Sequence, residues 1–177
     1  MKYYIIAGEA SGDLHGSNLM KGIYAEDPEA RIRFWGGAEM TSVCSSQTDA
    51  KVEDGLVRHY KDGAVMGFVE VLAKARKLLG NVSFCKKDIL AWQPDVVILI
   101  DYPGFNFKIA EFAHKAGFKV FYYIAPKVWA SREGRIRKLK VYVDKLFIVF
   151  PFEKPYFDSK GIEYIYKGNP LVDAVDS

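Results

Sequence analysis

Short apolar runs alternate with amphipathic segments along this chain. Strands are predicted where the runs are continuous or nearly so: Tyr3–Ala7, Ile32–Trp35, Val96–Ile100, Val120–Ile124 and Leu146–Phe150. Unbroken apolar runs of this length are typical of strands that are buried on both faces of a parallel sheet.

Helical patterns occupy the intervals between these runs. They cover Asp13–Ala25, an apolar face that contains Phe105, Ile109 and Phe112, and the segments Ser131–Tyr142 and Phe152–Lys160. This alternation predicts an α/β fold with a doubly wound, mostly parallel sheet and right-handed crossovers. Residues 40–65 are the least regular, and we expect irregular structure there with a short helix or strand.

Composition narrows the class of protein. The 177 residues are half apolar and 27% charged, which suits one globular domain. A net charge of +3 is too small to predict nucleic-acid binding. The two cysteines form no metal or disulfide motif, so we expect a reducing, cytoplasmic compartment and no bound metal. No apolar run is long enough to span a membrane.

The loop after the first strand is the first candidate site, Gly8 to Asp13. Gly8 and Gly12 would let the backbone approach a ligand, and the helix that follows would attract anions or hydroxyl oxygens. Ser11 or Asp13 is expected to cap that helix. Glu9 belongs to the same loop, and His15 follows it within the first turns of the helix. The alternative is a tight turn with a helix cap and no ligand.

The loop after the Val96–Ile100 strand is the second candidate. Asp101 should lie at the carboxyl edge of the sheet, where a desolvated carboxylate can act as a general base. Pro103 and Gly104 hold a turn, and Asn106 is either a helix cap or a polar contact to substrate. The alternative for Asp101 is a helix cap or a turn former.

Trp129 and Arg132 form a third candidate, after the Val120–Ile124 strand. The indole offers a flat apolar face to a sugar ring or an acyl chain, and the guanidinium group could bind phosphate. A solvated basic helix face is the alternative.

A wide apolar arc marks a fourth candidate, Val65–Leu79, with positive charges nearby. Its predicted membrane contacts are Val65, Met66, Phe68, Val69, Leu72, Lys74, Arg76 and Lys77. A helix of this kind could bind an anionic membrane surface. The alternative is a helix packed between the sheet and another element, with a break at Gly80.

Several of these motifs together resemble the lipid-A-disaccharide synthase family. They are Gly8–Asp13, the segment Val65–Leu72, Pro94-Asp95 with Asp101–Asn106, and Pro151–Lys154. The resemblance implies a Rossmann-like N-terminal half of a GT-B inverting glycosyltransferase. Such an enzyme joins UDP-2,3-diacylglucosamine to 2,3-diacylglucosamine 1-phosphate (lipid X), giving lipid A disaccharide 1-phosphate and UDP.

The resemblance also implies roles for residues and partners. Asp101 opens the family's D-x-P-x-F-N motif and would take the proton from the acceptor's 6-hydroxyl. The reaction would need no metal or other cofactor and would occur at the inner face of the bacterial inner membrane. We expect an acceptor-side domain over residues 1–170, with residues 171–177 beginning the connection to a C-terminal nucleotide-sugar domain.

The chain departs from the family at three positions. Ser131 stands where many relatives have tryptophan, Ala125 where some have serine, and Gly104 where some have an acidic residue. Two other readings remain open at this point. One is a non-catalytic nucleotide- or ligand-binding α/β module, and the other is an acceptor and membrane-binding fragment that is inert by itself.

Overall fold

A computed structural model of the chain describes residues 1–47, 54–63, 70–125 and 134–167. The strands are β1 (Lys2–Ala7), β2 (Arg31–Gly36), β3 (Gly55–His59), β4 (Val96–Ile100), β5 (Lys119–Tyr123), β6 (Lys145–Ile148) and β7 (Ile165–Tyr166). The helices are α1 (Ala10–Glu26), α2 (Ala38–Ser45), α3 (Glu70–Trp92), α4 (Pro103–Lys115), α5 (Gly134–Tyr142) and α6 (Glu153–Ser159), with a 3-10 helix at Tyr60–Gly63.

The strands form one sheet in the order β3-β2-β1-β4-β5-β6-β7, and every adjacent pair is parallel. This confirms the prediction of a doubly wound, Rossmann-like α/β fold. The order changes direction between β1 and β4. Ligands of such sheets bind in the crevice outside the carboxyl ends of the strands at this point. The two candidate loops follow β1 and β4, so both lie at this crevice.

The central strands are apolar throughout because both of their faces are covered. Tyr4 and Ile6 of β1 contribute to one buried cluster, and Ile5 and Ala7 contribute to the other, as the alternation of side chains along a strand requires. All five residues of β4 are buried. The continuous apolar run Val96–Ile100 therefore packs against a hydrophobic cluster on each face of the sheet.

The least regular region proved to be more ordered than expected. Its described residues form α2 and β3, and β3 extends the sheet beyond β2. The predicted break at Gly80 is wrong, since α3 continues through it for 23 residues. A glycine inside a helix costs about 1 kcal/mol. Val82, Cys85 and Ile89 of α3 are buried in the core, and this packing offsets that cost.

A polar network fixes the carboxyl half of α3 on the sheet. The Asp88 carboxylate accepts hydrogen bonds from Arg33 at 2.6 and 2.7 Å and from the Tyr4 hydroxyl at 2.7 Å. The Trp35 indole N–H donates to the same hydroxyl at 2.8 Å. Burial raises the pKa of Tyr4, so this hydroxyl stays protonated. These bonds set the position of α3 relative to the crevice.

The other half of α3 extends into solvent. Residues 72–77 are all exposed, and Leu72 leaves 79% of its surface accessible. None of the helices in the described ranges combines the length and the apolar character needed to cross a bilayer.

Candidate active site

The loops after β1 and β4 are in direct contact at the crevice. A Cβ atom at Gly8 would lie 2.2 Å from Cγ of Tyr102, so only glycine lets the ring lie against this backbone. Tyr102 also stacks on Phe105, with ring centroids 5.7 Å apart. The Gly8 and Asp101 loops, predicted to face one crevice, therefore form a single wall.

Backbone strain is concentrated at the carboxyl ends of β4 and β5. Asp101, Tyr102 and Ile124 all have left-handed conformations, with φ of 42°, 47° and 63°. The Asp101 N–H donates to the Ile124 carbonyl at 3.3 Å, which ties the two strand ends together. A β-branched residue is strained at such a φ, and strain of this kind tends to collect at functional sites.

Two buried side chains hold the carbonyl of Asp101. The Tyr122 hydroxyl donates to it, as does Nδ2 of Asn106 at 2.9 Å. Burial, reinforced by the negative charge of Asp101, raises the pKa of Tyr122, so the phenol remains a donor. Asp101 itself is only half-buried.

The helix-cap interpretation of Asn106 is wrong, because α4 begins at Pro103 with Tyr102 as its N-cap residue. Asn106 is fully buried, and its Nδ2 also donates to the Ile100 carbonyl at 3.3 Å. Its side chain therefore stabilises the backbone of Asp101 from the protein interior.

Asp13 has a different role from the one predicted. It is 2% exposed, and its carboxylate accepts backbone N–H bonds from Gly37, Glu39 and Met40 at 2.8, 3.0 and 3.0 Å. The expected cap on its own helix is wrong, because α1 begins at Ala10, three residues earlier. The Asp13 carboxylate instead caps the amino end of α2. It thereby links the loop after β1 to the loop after β2.

The remaining residues of the first loop divide into exposed and buried ones. Glu9 is the N-cap residue of α1 and makes no side-chain cap bond, and the first-turn residue Ser11 is exposed. The amino end of α1 is therefore free of a side-chain cap. His15 is 8% exposed, and burial lowers its pKa. Gly12 packs against β1, where an added Cβ would lie 3.3 Å from Cβ of Ala7.

Two cavities beside Tyr102 were not predicted from the sequence. A small one of about 40 Å³ includes Arg58 and His59 in its wall, and a groove of about 400 Å³ lies between α3 and the start of α4. Arg58 is near the end of β3, which lies in the region where only a short helix or strand was expected, without assigned bounds. Had β3 been recognised, the rule that places ligands at the carboxyl edge of the sheet would have drawn attention to this residue.

Other predicted residues are exposed or fall outside the described ranges. Leu72, Lys74, Arg76 and Lys77 lie on the exposed half of α3. Val65, Met66, Phe68, Val69, Trp129 and Arg132 lie outside the described residues. Among the residues that the structure describes, no three histidine, cysteine or acidic side chains are grouped closely enough to bind a metal ion.

The crevice thus combines a half-buried carboxylate with two helices, α1 and α4, whose amino ends lack side-chain caps. Helix amino ends attract anions and hydroxyl oxygens, and a carboxylate can accept a proton. Polar groups of these kinds suit a ligand that carries both hydroxyl and phosphate groups.

Solved structures of low sequence identity share the fold. UDP-GlcNAc 2-epimerase from Neisseria meningitidis, bound to UDP-GlcNAc, superposes with a TM-score of 0.66 at 14% identity, over 98% of this chain and 47% of that one. The UDP-GlcNAc 2-epimerase from Methanocaldococcus jannaschii gives a TM-score of 0.60 at 18% identity, over 98% and 47% of the two chains. These matches support the Rossmann-like architecture.

Relatives in sequence identify the family, whereas the solved structures show only the fold. The protein called lipid-A-disaccharide synthase in Geobacter metallireducens is 44% identical over 171 residues, and that in Trichlorobacter lovleyi is 39% identical over 173. The match covers 97% of this chain in both cases but only 42% and 43% of the relatives, so the chain spans less than half of their length. A family model described as lipid-A-disaccharide synthetase matches residues 3–177. The chain therefore belongs to the lipid-A-disaccharide synthetase family.

Proposed function

We propose that this chain is the acceptor-side half of an inverting glycosyltransferase of lipid A biosynthesis. The reaction joins UDP-2,3-diacylglucosamine to 2,3-diacylglucosamine 1-phosphate and releases UDP and the lipid A disaccharide 1-phosphate. The observation that carries this proposal is the position of Asp101, at the end of the buried central strand β4 and at the switch point of the sheet. The names of the relatives supply the reaction class.

Asp101 would act as the general base of this reaction. A sugar hydroxyl is a weak nucleophile at neutral pH, and it becomes effective when a carboxylate within hydrogen-bond distance accepts its proton as the new bond forms. Inversion requires the hydroxyl to attack the anomeric carbon from the face opposite to the departing UDP. The strained turn at Asp101 and Tyr102 fixes the backbone of this carboxylate, which favours a reproducible approach to the hydroxyl.

The leaving group would depend on a second domain. The developing charge on UDP requires positive groups or helix amino ends. We propose that a C-terminal domain supplies most of them and binds the nucleotide sugar. In support, the chain covers only 42–43% of the relatives' length.

Turnover measurements on two proteins test whether catalysis requires both this chain and a C-terminal domain. We expect the 177-residue chain to fold but to form no disaccharide. The same chain joined to the part of the Geobacter metallireducens relative that it does not match should form disaccharide from UDP-2,3-diacylglucosamine and lipid X. Disaccharide formation by the 177-residue chain would show that no second domain is needed. A folded but inactive fusion would count against the proposed reaction, provided that the corresponding fusion made from the relative's own sequence is active.

We also propose that the exposed half of α3 attaches the enzyme to the inner face of the bacterial inner membrane. Leu72 and Leu79 leave 79% and 58% of their surfaces accessible, and Arg76 is exposed on the same half of the helix. Apolar side chains that enter the acyl region next to cations that meet lipid phosphates produce reversible surface binding. Both substrates carry acyl chains, so this attachment would bring the crevice to them.

Vesicle co-sedimentation tests this attachment. We expect the double substitution Leu72→Ser/Leu79→Ser to lower the affinity for vesicles containing anionic lipid by at least about tenfold, since each buried leucine contributes about 1.5–3 kcal/mol. Arg76→Glu should weaken binding at low salt and have a smaller effect at high salt. Leu90→Ser and Lys87→Glu are matched controls, because both residues are exposed near the opposite end of α3. Equal binding by the test and control variants would show that this half of α3 is not the membrane contact.

A further inference from the structure

The two cavities beside Tyr102 are neighbouring parts of one crevice. The inner cavity of about 40 Å³ lies among the carboxyl ends of β1, β2 and β3, and the outer groove of about 400 Å³ lies between α3 and α4. Asn81, Tyr102 and Phe105 are in the walls of both. A ligand that enters the groove along α3 therefore meets the inner cavity next.

Arg58 is a fixed cation in the inner cavity. One guanidinium N–H donates to the side-chain oxygen of Asn81, and the guanidinium carbon lies 4.5 Å from the ring centroid of Phe84 and 5.9 Å from that of Trp35. Stacking and hydrogen bonding of this kind hold the planar group in one orientation.

Arg58 differs from the arginines of the neighbouring strand. Arg31 and Arg33 of β2 form ion pairs with Asp54 and Asp88, at 3.0 and 2.6 Å. Arg58 forms no ion pair within the described part of the chain. A half-buried guanidinium without a carboxylate partner keeps N–H donors for a bound anion.

A histidine adds a second donor to the same cavity. Nδ1 of His59 accepts the backbone N–H of Lys61 at 3.1 Å, so the neutral ring carries its proton on Nε2. Asp62 also borders the cavity, but it is exposed, and its charge is therefore screened by solvent. The inner part of the crevice is thus suited to an anion.

The outer groove is suited to a lipid. Ala75, Leu78 and Phe105 give it an apolar wall, and Lys74 and Lys77 border it. It runs along the half of α3 that exposes Leu72 and Leu79, the half proposed above to meet the membrane. An acyl chain lying in this groove would extend toward the bilayer.

We propose that Arg58 binds the phosphate of an acylated sugar 1-phosphate, while the groove between α3 and α4 holds one of its acyl chains. The inference deepens the proposed function, on which it rests, by assigning the acceptor's phosphate to a residue that the family motifs do not include. Arg58 is a binding residue in this scheme, and Asp101 remains the base at the other end of the sugar ring.

Calorimetric titration of the 177-residue protein with three ligands tests the proposal. The ligands are glucosamine 1-phosphate with two octanoyl chains, the same molecule without its phosphate, and glucosamine 1-phosphate without acyl chains. We expect the first to bind about 10- to 100-fold more tightly than the second, as charge-assisted hydrogen bonds predict. The third should bind at least about tenfold more weakly than the first, because it buries no acyl chain.

Variants identify the residue responsible for the preference. Arg58→Gln should abolish the preference for the phosphorylated ligand. Asn81→Asp should do the same while leaving Arg58 in place, because it sets a carboxylate against the guanidinium group. Arg58→Lys should retain part of the preference, since it keeps the charge but loses the planar fork. Lys61→Gln is the matched control, because Lys61 is exposed and lies outside both cavity walls.

The outcomes distinguish the phosphate subsite at Arg58 from the proposed acceptor function. If the variants fold, as judged by circular dichroism, and Arg58→Gln and Asn81→Asp keep the preference, Arg58 does not bind the phosphate. If the wild-type protein binds both acylated ligands equally, the phosphate subsite is overturned and the acceptor function stands. If the wild-type protein binds neither acylated ligand, the subsite and the proposed acceptor function fail together.

Discussion

Asp101→Asn should abolish hexosyl transfer in an active enzyme that carries this chain, with a loss of at least about 100-fold, the lower end of general-base effects. Asparagine has the same shape but cannot accept a proton from the acceptor hydroxyl. The hydrogen bonds from Asn106 and Tyr122 are accepted by the backbone carbonyl of this residue, so they survive the substitution. We therefore expect a lower kcat with little change in acceptor binding or in thermal stability.

Asp95→Asn provides the matched control for this substitution. Asp95 precedes the same strand at its opposite end, where its Oδ2 accepts the backbone N–H of Lys2 at 2.7 Å. Asparagine can keep that bond through its own side-chain oxygen, so turnover should stay close to that of the wild type. The measurement is the initial rate of disaccharide formation at saturating substrates. Near-normal turnover of Asp101→Asn would remove Asp101 from the role of base.

The fold could be predicted because its signal is local and repeated. Val96–Ile100 is apolar at every position, and the structure buries all of it between two helix layers. The order of strands follows once such runs alternate with helices and crossovers are right-handed. Two strands were not located because their patterns are weak. β7 has two residues and was not predicted, and β3 is only partly buried and lies where a short helix or strand was expected without bounds.

The candidate site could be predicted only as far as the carboxyl ends of the recognised strands. That rule placed Asp101 and the Gly8 loop at one crevice, and the contact between Gly8 and Tyr102 agrees with it. It could not reveal that Asp13 contacts the start of α2. The three N–H groups that donate to its carboxylate lie 24 to 27 residues later, at the N-cap and in the first turn of that helix. Arg58 was missed for a similar reason, since its neighbours Asn81 and Phe84 are distant in sequence.

The strained turn after β4 connects fold and function. Asp101 and Tyr102 occupy left-handed conformations that ordinary residues avoid, at a cost on the order of 1–3 kcal/mol each. Tyr122 and Asn106, both fully buried, stabilise this turn through the Asp101 carbonyl. The folded core thus maintains the backbone conformation of the residue that is proposed to act as the base.

Asp13→Ala should lower the free energy of unfolding by about 2–4 kcal/mol, because it removes a helix cap and leaves buried donors without a partner. The N–H groups of Gly37, Glu39 and Met40 would lose their acceptor in a site that is 2% exposed at Asp13. For a domain of this size that loss corresponds to a fall of roughly 5–15 °C in Tm. Thermal and urea unfolding of the 177-residue protein measure it.

The control for this prediction comes from the same loop. Ser11→Ala should change stability by less than about 0.5 kcal/mol, since Ser11 is exposed and no hydrogen bond of its side chain is seen in the described part of the chain. Asp13→Asn should fall between the two, because Oδ1 accepts two of the three bonds and asparagine keeps one oxygen. A ligand-binding role would give the opposite pattern, with stability unchanged and acceptor affinity lost. If Asp13→Ala unfolds like the wild type and binds the acylated acceptor more weakly, Asp13 belongs to the binding site after all.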